Sequence, residues 1–200
     1  MSATATGLRQ RNKRRRVEQI LEATRELLRE HPGESPSAER IAARAEVAPA
    51  TVFNLIGPRE KIWAALADEL LAELERRTAA LPALDPQERA RRIADATVDA
   101  ICGDADVYRH VLAHWSLSGR FLRRDPTPEI VACLRAAAEH GDLPVDIDAT
   151  KLGEMVTTTC TGAAHQWAAG LIDDHALRDR CRAAVDLTFA AASAPRVQRP

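Results

Sequence analysis

The sequence predicts an all-α fold of about nine helices. Apolar residues recur at the three- and four-residue spacing of a helix along most of the chain, and no segment shows the alternation of a strand. Proline and glycine interrupt this pattern at regular intervals. With 200 residues, 46% of them hydrophobic, the chain is long enough to bury a core without disulfides or metals.

The first four helices are predicted from apolar stripes and capping signals. The stripe of the first helix, about 11–31, consists of Val17, Ile20, Leu21, Thr24, Leu27 and Leu28. Ser37 offers a capping hydroxyl to a short second helix, about 37–44. Pro49 suits the first position of a third, about 49–55. A long fourth helix then runs from about Pro58 to just before Pro82.

Five further helices are predicted between Pro86 and the C-terminal region. They are separated by Gly103, Gly119, the Pro126/Pro128 pair, the 141–144 segment and Gly170. Their expected bounds are about 86–102, 105–118, 127–140, 148–169 and 174–192.

The net charge of −1 conceals two regions of opposite sign. Residues 1–63 hold 12 basic and 8 acidic side chains, whereas residues 64–200 hold 16 and 21. Much of the basic excess falls in one short run, which consists of Arg9, Arg11, Lys13, Arg14, Arg15 and Arg16. Such a run suits a polyanion such as nucleic acid, although a solvated terminus carries similar runs.

The second and third helices have the spacing of a helix-turn-helix. The connection 45–48 has the length of that motif's turn. The small core of the unit would consist of Ile41, Ala42, Val47 and Val52, with Phe53 or Leu55. A generic pair of short helices would satisfy the same spacing.

The residues of this segment are more specific than their spacing. Residues 41–62 read IAARAEVAPATVFNLIGPREKI, which resembles the DNA-binding signature of the TetR family of bacterial transcriptional regulators. The resemblance extends over about 11–74, and it departs from the usual pattern at Phe53, where tyrosine is common, at Ala50, where glycine is frequent, and at Leu55-Ile56. It implies a DNA-binding domain at 1–63, with a fourth helix from about 58 leading into a ligand-binding and dimerisation domain at 64–200.

The resemblance also assigns roles in DNA binding. Ser37 and Arg59 would contact phosphates, and Thr51 would contact a phosphate or a base edge. The exposed face of the third helix would read bases, with Asn54 able to pair with adenine. Arg40 and Arg44 would either add contacts or form a solvated helix face. The predicted DNA-contacting residues are Arg11, Lys13, Arg14, Arg15, Ser37, Arg40, Pro49, Ala50, Thr51, Phe53, Asn54 and Arg59.

In the second domain the resemblance implies a homodimer formed by the last two helices in a four-helix bundle. Apolar stripes on these helices supply the predicted interface, although they would serve equally well as intramolecular core. The stripes consist of Leu152, Val156, Cys160, Ala163, Leu177, Cys181, Ala184, Val185, Thr188 and Phe189.

A cavity for a small-molecule effector is also expected in the second domain. Its predicted lining consists of rare aromatic residues and a few polar residues, each of which could instead be ordinary core. These residues are Tyr108, His114, Trp115, Phe121, Thr158, Thr161, His165 and Trp167.

Two other classes of function were weighed against DNA binding. Asp106, His110 and His114 share a helix face, so a metal-dependent helical enzyme is an alternative, and a DNA-binding protein without an effector is another. The four cysteines lack the spacing of a metal site and are expected to be free thiols. No catalytic triad or phosphate-binding loop occurs, so neither catalysis nor a cofactor is expected.

The sequence therefore predicts a transcriptional regulator, expected to be a repressor. It would bind a palindromic operator in double-stranded DNA as a homodimer, and a small molecule would release it. With no long apolar run and no signal peptide, we expect a cytoplasmic protein without a membrane span.

Overall fold

A computed structural model describes residues 3–114 and 124–194. Within those two ranges the protein is helical throughout, with no strand, as predicted. The nine helices described are α1 (Ala3–Glu30), α2 (Ala38–Arg44), α3 (Pro49–Leu55), α4 (Arg59–Ala79), α5 (Pro86–Cys102), α6 (Ala105–Ala113), α7 (Thr127–His140), α8 (Ala149–Ala168) and α9 (Asp174–Ser193).

Most predicted bounds agree with these helices to within about two residues, and α1 is the exception. It begins at Ala3 instead of at about Arg11, so the basic run lies inside the helix. Arginine, lysine and alanine favour helices, and nothing between Ala3 and Arg16 stops one, because a single Gly7 costs only about 1 kcal/mol. The predicted end of α6 at about 118 lies outside the described residues.

The chain divides into two compact units, each with its own core. The first contains the residues up to Glu69 together with α6, although α6 follows α5 in the sequence. The second contains the chain from Leu70 to Asp104 and the residues from Arg124 onward.

In the first unit, α1 packs against α2, α3 and α6. The predicted stripe of α1 is confirmed, since Ile20, Leu21 and Leu28 are at most 1% exposed. The Thr24 hydroxyl is satisfied within the helix, where it donates to the carbonyl of Ile20 at 2.7 Å. Burial of this stripe is the main stabilisation of the unit.

In the second unit, α9 packs against α5 and α8, and α7 packs against α5 and α8. Trp167 is fully buried, and its indole N–H donates to the Asp174 carboxylate at 2.6 Å. The α7–α8 contact is close, because a Cβ added to Gly153 would lie 2.6 Å from Cγ2 of Val131. A larger residue at this position would push the two helices apart.

None of the described helices is both long and apolar enough to span a bilayer.

Candidate nucleic-acid interface

A Schellman motif ends α2 and forms the turn into α3. The backbone N–H of Val47 donates to the Ala42 carbonyl at 2.9 Å, and the N–H of Glu46 donates to the Ala43 carbonyl at 3.3 Å. Glu46 occupies the left-handed position of the motif, with φ of 53°. Glycine is usual there, so this turn keeps its geometry with some backbone strain.

The start of α2 is already capped within the chain. The Ser37 hydroxyl accepts from the backbone N–H of Arg40 at 3.2 Å and also bonds the Glu39 carboxylate. The hydrogen bond from its own backbone N–H, the Ser37 hydroxyl and the positive charge of Arg59 hold the pKa of Glu39 below its usual value. A negative charge therefore lies beside Ser37, the residue predicted to hold a phosphate.

One face of α3 is buried and the other is open. Val52 points into the unit at 1% exposure, whereas Pro49, Ala50 and Asn54 are exposed. Phe53 is 64% exposed, so it belongs to the outer face and not to the core that we had considered for it. Thr51 is half-buried between the two faces.

The arginines around this face differ in their partners. Arg59 is exposed at the first residue of α4, and Arg40 is exposed at 3.6 Å from Glu34. Arg44 instead joins α2 to α1, with nitrogens 3.1 Å from Glu26 and 2.6 Å from Glu30. These hydrogen bonds raise the pKa of Arg44, which identifies it as a structural link.

The basic run extends the same unit along α1. All six of its cationic residues are exposed, and no side chain between Arg9 and Gln19 is buried. Helix α1 includes the whole run, whereas the predicted helix began at about Arg11. The contact of Arg11, Lys13, Arg14 and Arg15 with DNA stays a prediction.

A histidine pair on α6, consisting of buried His110 and half-buried His114, belongs to the same unit. His110 is 5% exposed, its Nε2 lies 2.9 Å from the Ser35 hydroxyl, and its ring centroid lies 4.3 Å from that of His114 and 4.7 Å from that of Trp63. Burial, followed by the positive charges of His114 and Arg59, lowers the pKa of His110 to about 4.

This environment does not support the alternative metal site. Across the residues that the structure describes, no cluster of three His, Cys, Asp or Glu side chains could hold a metal ion. The spacing of the two histidines was visible in the sequence. The contact between His110 and Ser35 was not, because these residues lie 75 positions apart.

Neither a family model nor a curated protein sequence matches the chain. Thermus thermophilus FadR, a TetR-family transcriptional repressor solved with lauroyl-CoA, matches with a TM-score of 0.71 and 20% identity over 92% of this chain and 98% of that one. A TetR transcription regulator from Haloarcula marismortui matches at 0.66 and 23%, over 88% and 97%. Bacillus halodurans FadR, a fatty acid degradation regulator, matches at 0.65 and 16%, over 86% and 94%.

The chain has the fold of the TetR-family regulators. The resemblance over about 11–74 indicated this fold from about a third of the sequence, and the structural matches extend it to nearly the whole chain. At identities of 16–23% the matches establish the TetR fold, and function is considered separately below.

The predicted dimer residues of this TetR fold lie mostly inside the single chain. Six of the ten are at most 5% exposed in the single chain, where they form its own core and leave little surface for a partner: Val156, Ala163, Leu177, Cys181, Val185 and Phe189. The other four, Leu152, Cys160, Ala184 and Thr188, are half-buried. The stripe on α8 faces α7 and α9, and the stripe on α9 faces α5 and α8, which is why both are apolar.

The predicted effector-binding residues do not lie in one unit of the TetR fold. Tyr108 and His114 belong to the first unit, and Thr161, His165 and Trp167 to the second. Thr158 also belongs to the second unit, but it is exposed on α8 and does not line an interior cavity. Trp115 and Phe121 lie outside the described residues.

A surface groove of about 410 Å³ lies in the second unit and contains none of these residues. Its lining comes from α7, the start of α8 and the connection between them. Val145 on that connection is 90% exposed, so the groove is an open depression and not an enclosed effector cavity.

Proposed function

We propose that the protein is a DNA-binding transcriptional regulator that acts as a repressor. The observation that carries this proposal is the outer face of α3, where Pro49, Ala50, Phe53 and Asn54 are exposed on a helix-turn-helix within a TetR fold. No core packing explains a 64% exposed phenylalanine beside an exposed asparagine on so short a helix.

We assign base recognition to this face and backbone contact to its surroundings. Asn54 has the donor and acceptor needed for adenine, and Pro49, Ala50 and Phe53 present apolar atoms to thymine methyl groups. Each such contact would discriminate by roughly 1–3 kcal/mol. Arg59 would bind a phosphate and fix the register of α3.

The basic part of α1 would follow the phosphate backbone. A helix is about 10–12 Å across with its side chains, whereas the minor groove of B-DNA is about 6 Å wide. The helical Arg9–Arg16 segment therefore suits phosphate contact, and it would add a salt-dependent term to the affinity.

We propose a homodimer through the outer face of α8 and α9, in place of the buried stripes. Met155 on α8 and Leu187 on α9 are 57% and 70% exposed. The Arg180 guanidinium donates a hydrogen bond to the Gln166 side chain and so joins the two helices near the loop that connects them. Gly162 is also exposed, and no atom lies within 4 Å of a Cβ placed there. Because glycine inside a helix costs about 1 kcal/mol, close approach by a second copy would account for it.

A dimer would present two copies of α3 to successive major grooves, about 34 Å apart, and so read a palindromic operator. A small molecule that favours a different spacing would release the DNA. Such a regulator works where the DNA is, so we place it in the cytoplasm.

DNA binding is tested with purified full-length protein and fragments from around its own gene. We expect binding whose affinity falls steeply with salt, and the double variant Thr51→Ala/Arg59→Ala should weaken it at least tenfold. Arg92→Ala, an exposed arginine on α5, is the matched control and should change nothing. Equal affinities for wild type and the double variant would remove α3 and Arg59 from the interface.

Effector release is tested separately. Lauroyl-CoA, which Thermus thermophilus FadR holds, is the first probe. A compound that binds should raise the melting temperature and lower the affinity for the operator. If a panel of acyl-CoA thioesters and other metabolites changes neither quantity while DNA binding persists, the protein binds DNA without an effector of these classes.

A further inference from the structure

Two cysteines face each other across the α8–α9 hairpin. Cys160 on α8 is half-buried, Cys181 on α9 is 4% exposed, and their thiols are hydrogen-bonded to each other. Both are free thiols. The pair lies in a well-packed region of the hairpin, so the surrounding side chains hold the two thiols together.

The packing of the hairpin fixes this juxtaposition from both sides. Towards the connecting loop, the Trp167 indole bonds Asp174 at 2.6 Å. Towards the other end, Val156 and Val185 are buried at 2% and 0% exposure. With the helices held in this register, the two thiols stay in hydrogen-bond contact, the arrangement from which a disulfide bond of about 2.05 Å would form.

The two thiols are chemically unequal. Cys181 donates its hydrogen bond to Cys160, which lowers the pKa of Cys160 against the opposing effect of burial. The pKa of Cys181 is raised by the same hydrogen bond, by burial and by the charge of Asp95 on α5, against the smaller effect of Arg178. Cys160 is thus the better nucleophile, and it is also the more exposed of the two residues.

We propose that Cys160 and Cys181 form a reversible disulfide when a hydroperoxide reaches the protein. The Cys160 thiolate attacks the peroxide, the O–O bond breaks, and water or an alcohol leaves once the departing oxygen takes a proton. Cys160 is then a sulfenic acid. Cys181 attacks its sulfur, the S–O bond breaks, and a second water carries away the proton of Cys181.

The oxidation is balanced by the peroxide. Two thiols lose two electrons and two protons, and the peroxide accepts both. A dithiol reductant such as dithiothreitol reverses the change by thiol–disulfide exchange.

The remaining cysteines provide internal controls. Cys133 is buried at 2% exposure, and burial raises its pKa to about 11, so it should resist oxidation. Cys102 is half-buried at the end of α5.

The test treats full-length protein with hydrogen peroxide, alkylates the remaining thiols and maps the peptides by mass spectrometry. We expect the four thiols to fall to two, one linked peptide pair containing Cys160 and Cys181, and full recovery after dithiothreitol. Four remaining thiols, or a linkage through Cys102 or Cys133, would overturn the proposal.

Variants then test the roles of the two sulfurs. In Cys181→Ala, which keeps a small apolar side chain in the core, the sulfenic acid at Cys160 should persist and be trapped by dimedone. Cys160→Ser should abolish the disulfide, and Cys102→Ser should leave it intact. Absence of trapping at Cys160 in Cys181→Ala, in protein whose circular dichroism matches wild type, would contradict the assignment of the nucleophile.

Discussion

The α2–α3 pair and the α8–α9 pair each bury one apolar stripe, but their outer faces differ. The outer face of α3 joins Phe53 to Asn54 and lies in the unit that contains Arg59 and the basic run of α1. The outer face of α8 and α9 carries Met155 and Leu187 with the small Gly162. A buried stripe therefore shows only which side of a helix faces its own chain. The residue types on the opposite, exposed side are the ones from which we infer the kind of partner.

The proposed dimer face gives the largest expected effect. Leu187→Glu would place a charge in the interface once per subunit, and losing the apolar burial alone costs roughly 1.5–3 kcal/mol at each site. We expect dimer dissociation to become at least about 100-fold easier, as measured by analytical ultracentrifugation.

Val145→Glu is the matched control for this change, since Val145 is 90% exposed on the α7–α8 connection. It should leave the oligomeric state unchanged. A Leu187→Glu protein that still sediments as wild type would show that the apolar outer face of the hairpin has another role.

Acid should destabilise the first unit through His110. Its pKa is lowered from about 6.5 to about 4 in the folded protein, so between these values the unfolded chain binds more protons. Stability from this group is therefore present above pH 6.5 and is lost as the pH falls towards 4. We expect a loss of about 2 kcal/mol between pH 7 and pH 5, measured by urea unfolding.

His110→Gln should remove most of that pH dependence, whereas His140→Gln on the exposed end of α7 should retain it. An NMR titration of the wild type checks the same point without a variant. A His110 ring that titrates near pH 6.5 would show that burial does not exclude its proton.

The strained turn of the helix-turn-helix predicts a smaller change. Glu46→Gly should relieve the cost of the left-handed conformation and raise the free energy of unfolding by about 0.5–1 kcal/mol, after the entropy that glycine adds to the unfolded chain. Glu46→Ala keeps the strain and should give no gain. Equal free energies of unfolding for the two variants would show that the positive φ at residue 46 is not the source of strain in this turn.

The sequence predicted local structure well because its signals are local. The apolar stripe of α1, the Ser37 cap and Pro49 at the start of α3 each depend on residues within about one turn, and all three are confirmed. Spacing of this kind also identifies an inner face, as on α8 and α9. It contains no information about which chain lies against that face.

The features that the sequence missed depend on distant partners. The grouping of α6 with the first unit, the contact of His110 with Ser35 and the link from Arg44 to Glu26 and Glu30 join residues that no periodicity connects. The basic run is a different case. Its charges predict a polyanionic partner, which stays a prediction, and its helix begins at Ala3 instead of at about Arg11.

The smallest expected effect is on the affinity for DNA and concerns the charge of Glu39. A change in affinity at this residue would separate a face that binds DNA from one that serves only stability. The Glu39 carboxylate lies beside Ser37 and within the field of Arg59, so it opposes the approach of a phosphate to both. Glu39→Gln retains the hydrogen-bonding side chain and removes the charge, and it should raise affinity for DNA about threefold, with the gain shrinking as salt screens the charge.

Glu139→Gln on α7 removes an equal charge from the second unit and is the control. Anisotropy titrations at two salt concentrations measure both variants. Weaker binding by Glu39→Gln would mean that the charge of Glu39 favours binding, and that the cap of α2 contributes to the interface through this carboxylate instead of through the Ser37 hydroxyl.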